Sequence, residues 1–407
     1  MTTSSKLAFG SSGALASSTL SVHAQLGKVF SRVALAITLA ACGGGGGGGT
    51  TTAPTTDPSG TPGANTTTLA PPTTTVAPPT PASISGTIYY VFAGELNKFE
   101  LSTGKRTRLL GQGIFDDKFF DVSADNKELM YVKDAPVADG GDYFEQEYFN
   151  FVDTTSLSEV APRFKKFAGT SIKTNFAKLS PDKTKLAVIY RYCSETFASG
   201  VCSGYSTNVR VWDKTGTITR TYTKDNAGNL IKEFAWMPGG NLLMTSAAGI
   251  LKTTDATLNS YELLFKPNLP SWRSVVPSPD GKRLALKSGK HIYTMNIDGS
   301  NMVQLTDSEG DDQQYSPIWS PDGKYIAFTT NIFAYTTGPI VSGGGTIYQM
   351  ILAPADNKTY KLTKEYFESL GSGGLSGSSG IVANNGLVIL KYGPNSKVFA
   401  EEDFVWR

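Results

Sequence analysis

The chain has 407 residues, with 37 Lys and Arg against 35 Asp and Glu, a formal net charge of +2 and 18% charged residues. That length exceeds one small domain, and the near balance of charge argues against nucleic-acid binding, which calls for a clustered basic face. It argues equally against electrostatic attachment to a membrane surface.

The N-terminal segment is the first readable element. Val33 to Ala41 is an apolar run of nine residues, preceded by Lys28 and Arg32 and followed, after Cys42, by seven glycines. A span of the hydrocarbon core needs about 20 residues. The run instead has the proportions of a signal-peptide apolar region with a basic flank and small residues before a cut. Leu39-Ala40-Ala41-Cys42 resembles the bacterial lipoprotein signal, in which the cysteine is acylated and becomes the first mature residue. The resemblance implies lipidation at Cys42, removal of residues 1–41 and, because Gly43 follows the cysteine rather than Asp, sorting to the outer membrane. Removal strips Lys6, Lys28 and Arg32 and no acid, so the net charge moves from +2 to −1. The alternative is a generic signal peptide with a chance cysteine.

Residues 42–83 are expected to form a tether. After the glycines, the chain to about Pro81 is nearly all Thr, Pro, Ala, Gly and Ser, with too little apolar surface to offset the entropy of ordering. At roughly 3.1 Å per residue for extended Pro-rich chain, it could hold a domain about 100 Å from the membrane.

From Ile84 to Arg407 the texture changes to short runs of Val, Ile, Tyr, Phe and Leu, such as Thr87-Ile88-Tyr89-Tyr90-Val91-Phe92, punctuated by Gly, Asp, Asn and Pro. This predicts an all-β domain over 84–407. One motif recurs along it. Its clearest copies are Trp319-Ser320-Pro321-Asp322-Gly323-Lys324-Tyr325-Ile326-Ala327-Phe328 and Pro277-Ser278-Pro279-Asp280-Gly281-Lys282-Arg283-Leu284-Ala285-Leu286. Leu179 to Val188 matches without a gap, Val122 to Tyr131 more loosely, Trp236 to Met244 without the acid, and Val382 to Leu390 is a degenerate sixth copy. Pro presets the first turn position, Asp bonds its own downstream backbone and Gly tolerates positive φ, so each copy is a strand, a tight turn and a second strand. Third strands are expected at His291 to Met295 and Thr346 to Met350, and fourth strands near Gln304-Leu305-Thr306 and Lys361-Leu362-Thr363. Four strands per unit, with 42 residues from Asp280 to Asp322, is the spacing of a propeller blade.

Ser-Pro-Asp-Gly-Lys followed by Ile-Ala-Phe, Ile-Tyr-x-Met and Leu-Thr is similar to the WD-repeat-like blades of the TolB-type propeller family. The resemblance implies a six-bladed β-propeller, with a seventh blade if the N-terminal strands form a sheet of their own. It also implies a protein or peptide partner at one end of the central channel. The chain departs from that family in lacking an evident N-terminal α/β domain. Strands from both termini, Thr87 to Leu110 and Leu387 to Arg407, are expected to share the closing sheet.

Candidate chemistry is sparse. His291 is the single histidine after Cys42, which leaves no multi-histidine metal cluster and little support for a Ser-His-Asp triad. Gly374-Leu375-Ser376-Gly377-Ser378 fails the nucleophile-elbow pattern at its last position. Cys193 and Cys202, flanking an eight-residue segment in an oxidising compartment, read as a loop disulfide, two free thiols being the alternative. Asp125, Asp182, Asp280 and Asp322 read as turn formers. The acidic run containing Asp307, Asp311 and Asp312 is a solvated loop, a Ca²⁺ site or a seat for a basic partner segment; no other cofactor or metal is expected. Loops before the other motif copies supply Asp116, Asp117 and Lys118, Lys173 and Asn175, Lys232 and Glu233, Trp272 and Arg273, and Gln314 and Tyr315. Among these Lys118, Lys232, Trp272, Arg273, Asp311, Asp312 and Tyr315 are the candidate partner-binding residues at one channel mouth. Trp236 and Trp319 share one motif position and are expected to pack between blades. The sequence therefore reads as a monomeric, lipid-anchored envelope propeller that binds a protein or peptide without catalysis. The alternatives are a propeller enzyme acting on envelope or extracellular glycans and a purely structural surface module.

Overall fold

Apolar residues occupy both alternating faces of the strands after each turn, as in Arg283-Leu284-Ala285-Leu286, so each sheet must be covered on both sides. A ring of radially packed sheets satisfies that requirement. The computed structural model describes residues 84–407 except 93, 112–119, 135–146, 159–173, 198–201, 214, 337–345, 364–380, 385, 393–395, 398 and 401–403. The expected signal and tether, with Cys42, lie outside the described residues.

The strands in chain order are β1 (Thr87–Phe92), β2 (Glu95–Glu100) and β3 (Lys105–Leu110), then β4 (Phe120–Val122), β5 (Glu128–Asp134) and β6 (Glu147–Asp153). Next come β7 (Thr174–Leu179), β8 (Lys185–Thr196), β9 (Cys202–Asp213) and β10 (Ile218–Tyr222). β11 (Glu233–Trp236), β12 (Leu242–Ser246), β13 (Gly249–Thr253) and β14 (Tyr261–Phe265) follow, and then β15 (Trp272–Pro277), β16 (Arg283–Ser288), β17 (His291–Asn296), β18 (Val303–Gln304) and β19 (Thr306–Ser308). The last group is β20 (Gln314–Trp319), β21 (Tyr325–Thr336), β22 (Thr346–Pro354), β23 (Tyr360–Leu362), β24 (Ile381–Asn384), β25 (Leu387–Tyr392), β26 (Ser396–Lys397), β27 (Phe399–Ala400) and β28 (Phe404–Trp406).

Among the described residues these form six blades: β28-β1-β2-β3, β4-β5-β6, β7-β8-β9-β10, β11 to β14, β15 to β18, and a sheet running β20-β21-β22-β25-β24. We number them one to six in that order. Every neighbouring pair shares one apolar cluster. In the fifth blade Leu284 and Leu286 pack with Leu243 and Ile250 of the fourth, while Ala285 between them packs with Ile326, Phe328 and Ile351 of the sixth. The cluster of Met350, Leu352, Ile88, Tyr90, Phe404 and Trp406 joins the sixth blade to the first. That of Tyr89, Val91, Phe120, Val122 and Leu129 joins the first to the second. The remaining two clusters join the second blade to the third and the third to the fourth. Six interfaces for six sheets close the ring.

Closure uses both termini, as expected, through fewer residues than expected. Among the described residues the C-terminal strand that pairs with β1 is Phe404–Trp406, Ile88 facing Trp406 and Tyr90 facing Phe404. The degenerate sixth copy does form a hairpin, Val382 facing Ile389 and Asn384 facing Leu387, but it does not open a blade. β25 instead adds to the outer edge of β22, Ile351 facing Ile389. Its Leu387-Val388-Ile389-Leu390 is apolar on both faces, so Leu387 and Ile389 fill the cluster toward the fifth blade and Val388 and Leu390 that toward the first. The expected fourth strand at Lys361-Leu362, displaced from that edge, pairs in parallel with β19 of the preceding repeat, Thr306 facing Tyr360.

Candidate functional site at one mouth of the channel

Each inner strand (β4, β7, β11, β15 and β20) runs into a motif turn, so the turns lie on one face of the ring and the starts of the inner strands on the other. The turn face is built for stability. In all four Ser-containing copies the Ser hydroxyl donates to the motif Asp, at 2.6 Å for Ser123, 2.5 Å for Ser180 and 2.6 Å for Ser278 and Ser320. The same oxygen accepts from the amide five residues on, at 2.9 Å in each copy. The fourth turn residue takes positive φ, 70° at both Gly281 and Gly323 and 59° at Lys183. Lys183, holding a conformation that favours glycine, spans to the preceding blade, its Nζ 2.7 Å from Asp125 and 3.2 Å from Glu128. Partial desolvation raises the Asp125 carboxyl, but bonds from Lys183, the Ser123 hydroxyl and the Lys127 amide outweigh it and bring the group down to about 2. The motif aspartates are turn formers, as expected. Trp236 and Trp319 also behave as expected: each indole donates to the inner strand of the blade before, to Lys178 O at 2.9 Å and Val276 O at 3.3 Å.

The opposite face carries the candidate site, and its described part spans the fourth to sixth blades. β15 and β20 each contain a bulge, between Arg273 and Val276 and between Tyr315 and Ile318. Ser274 and Ser316 take φ of 54° and 49° inside these bulges, a device that re-aims side chains. One rung then holds Glu233 (opposite Thr245), Arg273 (opposite Lys287) and Tyr315 (opposite Thr329). Trp272 and Gln314 sit on the rung above, opposite Ser288 and Thr330, and Lys232 directly precedes Glu233.

Some of these groups are latches between blades. Glu233 Oε2 accepts from the Ser274 amide at 2.7 Å. Burial pushes the Glu233 carboxyl above its usual range, and that bond, Arg273 and Lys232 pull it back only in part. Lys287 is buried (2% exposed); its Nζ donates to Gln314 O at 2.7 Å and Gln313 Oε1 at 3.3 Å and lies 3.9 Å from the Tyr315 ring centroid. The same ring stacks on Tyr348 at 4.7 Å. Trp272 is half-buried against the apolar cluster of the fourth and fifth blades. Arg273 and Lys232, by contrast, are exposed, and neither side chain makes a hydrogen bond or ion pair among the described residues.

Of the sequence candidates, Lys232, Trp272, Arg273 and Tyr315 come together at this mouth. Asp311 is turned to solvent, 3.7 Å from Lys290, and the backbone carbonyl of Asp312 accepts from the Ser308 hydroxyl at 2.9 Å. Asp307 lies in β19 opposite Lys361. Among the described residues no three His, Cys, Asp or Glu side chains converge on a metal position. Lys118, with Asp116, Asp117 and Lys173, lies outside the described residues, as does Gly374 to Ser378. Cys193 and Cys202 lie in the β8–β9 hairpin, but the ladder sets Cys193 opposite Tyr205 and Cys202 opposite Thr196 rather than facing each other; their side chains are outside the described set.

Sequence reasoning missed Lys287 and Asp121. Lys287 stood as a lysine at a position of Arg283-Leu284-Ala285-Leu286-Lys287 whose alternation points it at the sixth blade. Asp121 is 1% exposed and joins three blades: it accepts from the Leu179 amide at 2.8 Å and pairs with Lys178 at 3.5 Å and Arg407 at 3.4 Å.

No family model matches the chain. It is 39% identical over 102 residues to a dipeptidyl-peptidase 5 of Porphyromonas gingivalis, a stretch covering 23% of this chain and 14% of that protein. Among solved structures it is similar to TolB from Acinetobacter baumannii, with 16% identity, a TM-score of 0.46 and coverage of 69% of this chain and 64% of that one. It is also similar to an oligogalacturonate lyase in complex with manganese, with 14% identity, a TM-score of 0.41 and coverage of 61% and 73%. A TolB from Agrobacterium tumefaciens gives 15%, 0.40, 67% and 86%. At these identities and scores the likenesses assign no substrate or partner to this chain. The fold rests on the chain's own six sheets and six interfaces: it is a six-bladed β-propeller whose repeats are TolB-like in sequence pattern.

Proposed function

We propose that this protein is a non-catalytic binding propeller that receives a protein or peptide partner at the mouth formed by the starts of the inner strands. The observation that carries the reading is the pairing of locked and unlocked groups there. Glu233, Lys287 and Tyr315 are committed to contacts between blades, whereas Arg273 and Lys232 stand exposed beside the half-buried Trp272. Arg and Trp are the residue types that dominate binding energy at protein interfaces.

We propose further that Cys42 carries the lipid, that residues 42–83 tether the domain, and that the monomeric propeller stands at the outer membrane. The lipoprotein-like Leu39-Ala40-Ala41-Cys42 and the Thr/Pro-rich spacer support this. Paired capture experiments with the native chain and an Arg273→Ala plus Lys232→Ala variant as baits test the mouth. The native bait is expected to retain envelope proteins that the variant loses; identical captures, or none by either, contradict the reading.

A further inference from the structure

The β8–β9 hairpin carries a backbone edge beyond the strands that flank it. Its arms are twelve residues each, against five in β12 and β13 and six in β16 and β17. β10 covers the outer side of β9 only as far as Val209, which faces Tyr222. The chain then turns away through the bridge between Lys224 and Leu230 toward the fourth blade. Past that point Tyr205, Ser206, Thr207 and Asn208 face Cys193, Tyr192, Arg191 and Tyr190 of β8. Among the described residues no strand pairs with their other side. This edge continues the line along which β10 is already paired. Four positions suffice for a strand in this ring, since three facing pairs hold β28 on β1 and three hold β23 on β19.

Open edges are ordinarily blunted by charge or proline. The outer strands of the first, third and fourth blades follow that rule, with Lys105, Arg106 and Arg108 in β3, Arg220 in β10 and Glu262 in β14. Tyr205-Ser206-Thr207-Asn208 has neither; the exposed charges of the ribbon, Arg191 and Glu195, stand on the β8 arm. Exposed apolar side chains flank the edge instead. Tyr205 alternates in phase with Val209 and so points toward the fourth blade, where it is 51% exposed with the Arg191 guanidinium 4.1 Å from its ring centroid. Phe197, just past β8, is 61% exposed, and Leu230, at the foot of the ribbon, 46%. The fourth blade closes in a tight turn at Ser246–Gly249, which keeps that side of the ribbon open. A two-stranded ribbon is marginally stable alone, so a third strand also stabilises its host.

We infer that Tyr205–Asn208 is a docking edge, and that its occupant is an extended, β-forming segment of a partner protein that adds to β9 as a strand. Backbone pairing supplies the affinity, and Tyr205, Phe197 and Leu230 meet the alternate apolar side chains of the segment. The inference does not rest on Arg273 or Lys232. Random short peptides displayed on phage are selected on the full chain, and the most enriched one is labelled and titrated. It is expected to alternate apolar residues with a period of two and to lose about tenfold in affinity when N-methylated at alternate residues, with little loss at the residues between. Tyr205→Ala should weaken it about tenfold without moving the melting temperature, since that side chain is exposed, and Lys232→Ala plus Arg273→Ala should leave it intact. Affinity indifferent to N-methylation at every position overturns the inference, as does the failure of any peptide to be enriched. Loss in the Lys232 and Arg273 variant but not in Tyr205→Ala overturns it as well, while supporting the mouth as a peptide site.

Discussion

Asp121 shows how much a single buried carboxylate does in this ring. It holds the Leu179 amide and faces Lys178 and Arg407, so one side chain ties the first, second and third blades together. Removing one partner of a buried, hydrogen-bonded charge set typically costs about 3–5 kcal/mol. Asp121→Ala should lower stability by about that much in chemical denaturation, and Asp121→Asn, which keeps an acceptor for the amide, by less. The motif aspartates set the response to acid. Asp125 falls to about 2, and Asp182, Asp280 and Asp322 also lie below the usual range, held by their Ser hydroxyls and downstream amides against partial desolvation. A folded-state pKa below the unfolded one gives stability that is full above the unfolded value, near 4, and is lost as pH falls toward about 2. Glu233, raised by burial, has the opposite sign: its contribution is full below its unfolded value and is lost as pH rises through the folded one. Glu233→Gln should therefore leave stability at neutral pH unchanged or slightly higher. Melting temperatures across pH 2 to 8 read both effects.

At the scale of elements, the last strand is the clasp. β28 is three residues long, yet Phe404 and Trp406 fill the interface between the sixth and first blades, and the Trp406 indole donates to Ser85 O at 3.2 Å. Trp406→Ala should cost about 3–5 kcal/mol, as large aromatic truncations in cores do, read as a lowered denaturation midpoint. How far such elements were legible follows from their physics. Ser-Pro-Asp-Gly and the alternating strand after it are local patterns, so turns, strands and the packing of Trp236 and Trp319 could be read directly. The placement of β24 and β25 could not, because Leu387 to Leu390 is apolar on both faces and any sheet edge with two covered sides would accept it. The bulges at Ser274 and Ser316 were equally hidden. They shift Arg273 and Tyr315 by one rung, onto the level of Glu233 rather than Lys232, and only pairing with β16 and β21 reveals that.

At the scale of the whole molecule, the two faces of the ring divide the work. One face is closed by four Ser-Asp turns and the Lys183 bridge; the other carries the exposed cations, Trp272 and the long β8–β9 hairpin. The candidate site was read as a set of loop positions, whereas Glu233, Trp272, Arg273, Gln314 and Tyr315 lie at the starts of inner strands; the latches of Glu233 and Lys287 were not legible, since each depends on what the neighbouring blade brings into reach. The proposed anchor belongs to this scale as well: Cys42→Ser should abolish incorporation of labelled palmitate and release the chain from membranes, and retained lipid label in that variant would contradict it. The central claim is that partners meet the molecule at the cationic mouth. A photo-crosslinking amino acid placed at Arg273, and separately at Lys282 on the turn face, tests it in the cells that make the protein. The account predicts a discrete partner adduct from position 273 and none from 282. Equal adducts from both positions, or an adduct from 282 alone, would contradict it.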